Sequence, residues 1–109
     1  MADNPQARQK GLGGRLSLAS DSGVLFVFDK PDQYRFWMKG MNFPLDFIWV
    51  RDGTVVELLP NVSSPQPGMR DEMLPVFGPS VEIDQVLEVN SGFINSNNIK
   101  IGDKVELLK

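Results

Sequence analysis

The stretch FPLDFIWVRDGTVVELL, residues 43–59, decides the fold. Successive side chains of a strand point to opposite faces of a sheet. The first half of the stretch therefore places four large apolar side chains on one face, namely Phe43, Leu45, Phe47 and Trp49. Ile48 and Val50 lie on the other face, so both faces are largely apolar. This pattern predicts a strand.

A tight turn follows this strand. The Asp-Gly pair at 52–53 separates it from a second apolar run, TVVELL at 54–59. Asp-Gly between strand-forming residues is a strong hairpin signal, because both residues tolerate the positive φ that a two-residue turn needs. Pro44 has no N–H to donate to a strand ladder, which confines it to the start of the strand or to a sheet edge. The stretch therefore predicts an antiparallel hairpin.

Further strand patterns lie on both sides of the hairpin. They are VLFVF at 24–28, YRFWMK at 34–39, VEIDQVLEV at 81–89 and IGDKVELL at 101–108. Short helices are predicted at 2–12 and 91–98, and neither is long enough or placed to connect parallel strands. The sequence thus predicts a mainly β fold, a small antiparallel sandwich or barrel with two short helices.

Length and charge limit the domain count and the partners. A chain of 109 residues fits a single domain, 1–109, because two separate cores would each be too small to outweigh chain entropy. The net charge of −3 supplies no positive field for a phosphate backbone or an anionic membrane. We therefore expect no nucleic acid partner. The chain has no apolar run of 18 residues, so we expect no direct membrane insertion. We also expect a monomer or weak oligomer.

The residue types that are missing exclude several chemistries. The chain has no Cys and no His. This excludes disulfides, thiolate nucleophiles, zinc fingers and the usual catalytic triads, and we expect no metal and no cofactor. The absence of Cys suits a reducing cytoplasm and an exported domain equally well, so it leaves the compartment open.

A few ionisable residues lie in apolar strands. Asp46 stands between two large apolar residues, where a carboxylate is costly to bury without a partner. Lys39 or Arg35 reaches it if the strand at 34–39 pairs with the next one in simple register, and Trp37 shares the face of Lys39. Glu88 presents the same problem in its own strand. The candidate ligand-binding residues are thus Trp37, Lys39, Asp46 and Glu88, and an internal ion pair is the structural alternative.

A long loop is predicted between the second half of the hairpin and the strand at 81–89. Residues 60–79 contain five prolines and show no sustained periodicity. Loops longer than about 12–15 residues in compact domains tend to be functional or disordered. This loop also carries residues apolar enough to dock a partner, namely Met69, Met73, Leu74, Val76 and Phe77.

Several motifs together resemble a known family. They are ADNPQARQKGL, GVLFVF, FWMK, FPLDFIWV, VLEVNSGF and IKIGDKV, in that order. The chain resembles the prokaryotic family known as domain of unknown function 192 over nearly its whole length. The resemblance implies a β-rich fold and, because the family is functionally uncharacterised, no particular activity. Its members often carry an export signal, which implies an envelope or secreted protein if such a segment was removed and a cytoplasmic one otherwise.

The chain departs from the family pattern at a few positions. Gly40 and Met41 stand where the family usually has Asn-Thr after FWMK, which puts a polar role for these positions in doubt. Gly13 stands where a methionine is common, and the usual strand before the ADNP-like segment is absent.

Three hypotheses for function follow. The first is a non-enzymatic binding or accessory module, in which the loop at 60–79 and the ionisable face contact a peptide, glycan or small ligand. The second is a small carboxylate-dependent hydrolase, in which Asp46 and Glu88 face each other over a cleft as general acid and base. The third is a structural or oligomer-forming domain that pairs through an exposed sheet edge.

Overall fold

The structure, a computed structural model, describes residues 23–105 of the chain. The helix predicted at 2–12 lies outside the described residues. The described strands are β1 (Gly23–Asp32), β2 (Leu45–Arg51), β3 (Thr54–Val62) and β4 (Ile83–Asn90). A 3-10 turn spans Asp71–Met73, and one short helix, α1, spans Phe93–Ser96.

The four strands form one sheet in the order β1-β4-β2-β3. Each neighbouring pair is antiparallel, which confirms the mainly β fold. The predicted hairpin is confirmed as well, since Arg51 pairs with Thr54 across the turn. Asp52 and Gly53 have φ values of 51° and 73°, as the Asp-Gly signal requires.

The strand predicted at 34–39 is wrong. Among residues 23–105, this segment makes only an isolated antiparallel bridge, in which Phe36 and Phe77 exchange two backbone hydrogen bonds of 2.7 and 2.9 Å. Gly78 lies so close to the Tyr34 carbonyl oxygen that a Cβ atom there would collide with it. Residues 34–39 therefore lie beside the loop at 60–79. Within the described range they do not form a strand of the sheet.

The structure describes only the first part of the last predicted strand, residues 101–105. Within the described part of the chain, Lys104 forms an isolated bridge with Thr54. Val55 donates its N–H to Asp103 and accepts from Gly102, both at 2.8 Å. Residues 106–108 of the prediction lie outside the described range.

Each face of the sheet has its own core. On the first face Trp49 is fully buried and packs against Phe47 and Phe36, with ring centroids 5.4 and 5.2 Å away. The second core consists of Ile48, Val50, Val55, Val89 and Ile94. The segment around Phe36 therefore covers the first face, and α1 with the residues that follow it covers the second.

Candidate functional site

Asp46 is fully buried on β2, on the face that α1 covers. Its Oδ1 accepts the backbone N–H of Asn61 at 2.8 Å. Its Oδ2 accepts the N–H groups of Gly92 at 3.1 Å and Ile94 at 2.9 Å. These three donors replace the water that the carboxylate loses on burial. Asp46 therefore ties the end of β3 and the start of α1 to the central strand β2.

The backbone around Asp46 turns through left-handed residues. Asn61 has φ of 58° and Gly92 has φ of 95°. Glycine adopts such values without a steric penalty, and asparagine tolerates them better than most residues. These two turns present N–H groups to the same carboxylate. In the sequence, Asn and Gly at these positions predict turns, but they do not predict this contact.

The predicted contact between Lys39 and Asp46 is wrong. The Lys39 Nζ atom lies 3.0 Å from Asp71 Oδ2 and 5.5 Å from the centre of the Trp37 ring. The predicted contact required a hairpin between residues 34–39 and β2, and that hairpin does not form. Lys39 instead joins its own segment to the 3-10 turn of the long loop.

Glu88 is also fully buried, but on the opposite face of the sheet. It lies directly across from Phe47 in the ladder between β2 and β4, whereas Asp46 lies across from Val89. Neighbouring positions of a strand point to opposite faces. The two carboxylates therefore do not face each other over a cleft, which is the arrangement that the paired-carboxylate hypothesis requires.

The four predicted site residues thus fall into three places. Trp37 and Lys39 lie together beside the long loop, Asp46 lies under α1, and Glu88 lies in the aromatic core. No group of three or more acidic residues in the described range is arranged to hold a metal ion.

An apolar cavity of about 220 Å³ lies between the long loop and the segment around Met38. Its principal apolar lining residues are Met38, Val62, Met69, Leu74, Pro75 and Phe77. We call it the loop cavity. Lys39 follows Met38 in the chain and Asp71 lies between Met69 and Leu74, so the Lys39–Asp71 ion pair links its two walls.

A polar cavity of about 600 Å³ lies on the other face of the sheet, beside Asp46. We call it the asparagine cavity, because Asn61, Asn95 and Asn98 line it together with Lys100. The sequence did not predict this cavity. The run NSGFINSNN predicts a turn and a short helix. It does not show that Asn95 and Asn98 would line a cavity beside the buried Asp46.

The Lys39–Asp71 ion pair is expected to contribute little to stability. The side chains are 34% and 53% exposed, and exposed ion pairs are typically worth less than about 1 kcal/mol. Lys39→Ala should therefore lower the free energy of unfolding in urea by less than about 1 kcal/mol. Arg70→Ala, which removes the more exposed pair with Glu72, is the matched control. A loss of several kcal/mol in Lys39→Ala alone would show that the pair holds the loop in place.

The fold and the two cavities define a small antiparallel β domain with a two-sided core. No helix in residues 23–105 is long and apolar enough to cross a membrane. The chain belongs to the DUF192 family, described as "Uncharacterized ACR, COG1430", whose model matches residues 1–107. The resemblance seen in the sequence is thereby confirmed.

Two solved structures are similar to this chain. One, from Sinorhizobium meliloti, is described as a "putative transcription regulator"; it has 28% identity and a TM-score of 0.80, over 94% of this chain and 75% of that one. The other, from Novosphingobium aromaticivorans, is a protein of unknown function; it has 31% identity and a TM-score of 0.80, over 94% of this chain and 69% of that one. No curated protein matches the chain.

Proposed function

We propose that the protein is a non-enzymatic binding module that takes one apolar side chain of a peptide into the loop cavity. The observation that carries the proposal is the apolar lining of the loop cavity. The segment around Met38 and most of the long loop, which form this cavity, lie outside the strands of the sheet. Binding sites are usually concave and lined mainly by apolar side chains.

The size of the loop cavity favours a side chain over a whole small molecule. Its volume is about 220 Å³. A cavity of about 150 Å³ holds a benzene molecule, whereas pockets for small molecules and cofactors usually measure about 300–1,000 Å³. One leucine, methionine or phenylalanine side chain fits a cavity of this volume, and the rest of the peptide would lie outside it.

The chemistry of the lining supports a site that adapts to its ligand. Met38 and Met69 have flexible, polarisable side chains that fill irregular gaps, and methionine is common at adaptable binding surfaces. Val76, on the same loop, is 57% exposed and is available to contact residues beside the inserted side chain. The partly exposed Lys39–Asp71 pair holds the loop only weakly, which permits it to adjust.

The test is a titration of the ¹⁵N-labelled protein with blocked tripeptides Gly-Leu-Gly, Gly-Phe-Gly and Gly-Ala-Gly. The first two are expected to shift the amide signals of Met69, Leu74 and Phe77, and the alanine peptide is not. Met69→Gln should weaken binding by about tenfold, because it places an amide without a partner against the ligand. Met73→Gln is the matched control, since Met73 lies on the same loop but does not line the cavity.

Two outcomes would contradict the proposal. One is that none of the tripeptides shifts these signals. The other is that Met69→Gln and Met73→Gln weaken binding equally, because the contact would then be an unspecific one with the exposed loop.

The alternatives have less support. A paired-carboxylate hydrolase requires Asp46 and Glu88 on one side of the sheet, and they lie on opposite sides. The Sinorhizobium meliloti protein is described as a "putative transcription regulator". If this chain had such a role through direct contact with DNA, its net charge of −3 would supply no positive field for the phosphates. Oligomerisation through a sheet edge stays a prediction.

A further inference from the structure

We propose that the asparagine cavity is a second binding site, and that its ligand is a small neutral molecule rich in hydroxyl groups, of the monosaccharide or disaccharide class. The cavity lies on the face of the sheet opposite the loop cavity. The two proposals therefore rest on different residues and are tested separately.

The volume of the asparagine cavity suits a small molecule. At about 600 Å³ it falls within the usual range of about 300–1,000 Å³ for ligand pockets. It is larger than the loop cavity, and its lining includes a buried carboxylate, a lysine and several amides.

The charges of the lining favour a neutral ligand. Asp46 and Lys100 are the two charged residues among those that line the cavity within the described part of the chain. Their charges balance, and the Asp46 carboxylate is already bound by three N–H groups. Asp46 would repel an anion and Lys100 would repel a cation, so neither kind of ion is favoured over a neutral ligand.

The hydrogen-bonding groups favour hydroxyls. The side chains of Asn95 and Asn98 are exposed, and an amide both donates and accepts hydrogen bonds. A hydroxyl group also does both, so neighbouring hydroxyls can bind the asparagine amides and the Lys100 ammonium at once. Pro60, Ile94 and Ile99 supply apolar surface for the C–H groups of a sugar ring.

The cavity is also held in a fixed shape before any ligand enters. Asp46 accepts from Asn61 on one wall and from Gly92 and Ile94 on the other. The Ser91 hydroxyl donates to Asn61 Oδ1, which adds a second link between the walls. A pre-organised site loses less entropy when it binds, which makes weak hydrogen bonds to a sugar sufficient.

The experiment is a ¹⁵N titration of the full chain with glucose, galactose, mannose and N-acetylglucosamine, followed by lactose and maltose. At least one sugar is expected to bind with a dissociation constant in the millimolar range and to shift the amides of Asn61, Gly92 and Lys100. Asn95→Ala and Asn98→Gly should each weaken this binding by about tenfold. Glycine is used at position 98 because its φ of 52° would strain alanine.

Gln66→Ala, at the loop cavity on the other face, is the control and should leave sugar binding unchanged. The proposal is overturned if no sugar in the panel shifts these amides, or if a sugar binds to Asn95→Ala and to Asn98→Gly as tightly as to the unsubstituted protein. It is also overturned if the blocked peptide Gly-Ala-Gly shifts the same amides while the sugars do not, since the cavity would then recognise a peptide backbone.

Discussion

Asp46→Ala is expected to lower the free energy of unfolding by about 3–5 kcal/mol. The substitution removes the acceptor from the N–H groups of Asn61, Gly92 and Ile94. Each buried donor left without a partner costs about 1–3 kcal/mol. Water from the adjacent asparagine cavity can reach some of these groups, which places the total toward the lower end of the sum. Urea unfolding followed by circular dichroism measures the change.

The matched control for Asp46 is Asp84→Ala. Asp84 accepts long hydrogen bonds from the Asp52 N–H, at 3.2 and 3.3 Å, in an exposed position. Its loss should cost less than about 1 kcal/mol. Asp46→Asn should fall between the two, because one carboxylate oxygen is replaced by an NH₂ group that cannot accept. If Asp46→Ala were no more destabilising than Asp84→Ala, the Asp46 carboxylate would not anchor the end of β3 and the start of α1 to β2.

Trp49 is expected to show the largest effect in the aromatic core. Its side chain is fully buried and contacts the rings of Phe36 and Phe47. Trp49→Ala should lower the free energy of unfolding by about 3–5 kcal/mol, the usual cost of removing a buried aromatic side chain. The measurement is urea unfolding monitored by circular dichroism. Fluorescence is not used, because the variant lacks one of the two tryptophans.

Trp49→Phe separates the packing of this residue from its polar atom. Among the described residues, Trp49 Nε1 is buried without a hydrogen-bond partner. Phenylalanine keeps much of the ring contact and removes that donor, so the cost should be at most about 2 kcal/mol. Equal losses in the alanine and phenylalanine variants would instead indicate that the indole N–H has a partner outside residues 23–105.

The sequence predicted the parts of the fold that depend on local chemistry. The Asp52–Gly53 turn and the apolar run before it were sufficient for the central hairpin, because turn type and alternation are encoded in neighbouring residues. The segment around Phe36 shows the same alternation, yet it pairs with the loop only at Phe77. Alternation shows which side chains share a face, but not whether a second strand lies alongside.

The candidate site was predicted less well, for a related reason. The cost of burying Asp46 is visible in the sequence, but its partners are backbone N–H groups, which every residue except proline carries. The relation of Asp46 to Glu88 depends on the register between β2 and β4. A shift of one residue would place both carboxylates on the same face, and the alternation within each strand does not show which register forms.

The buried carboxylate on β2 also has a consequence for how the strands align during folding. A slip of β2 by one position would exchange its two faces and move the negative charge of Asp46 to the face of the sheet that Phe28 and Phe36 cover. That misalignment would leave a desolvated charge with none of its three donors, a penalty of several kcal/mol. Asp46 thus selects the correct alignment by making the nearest incorrect one too unstable to persist.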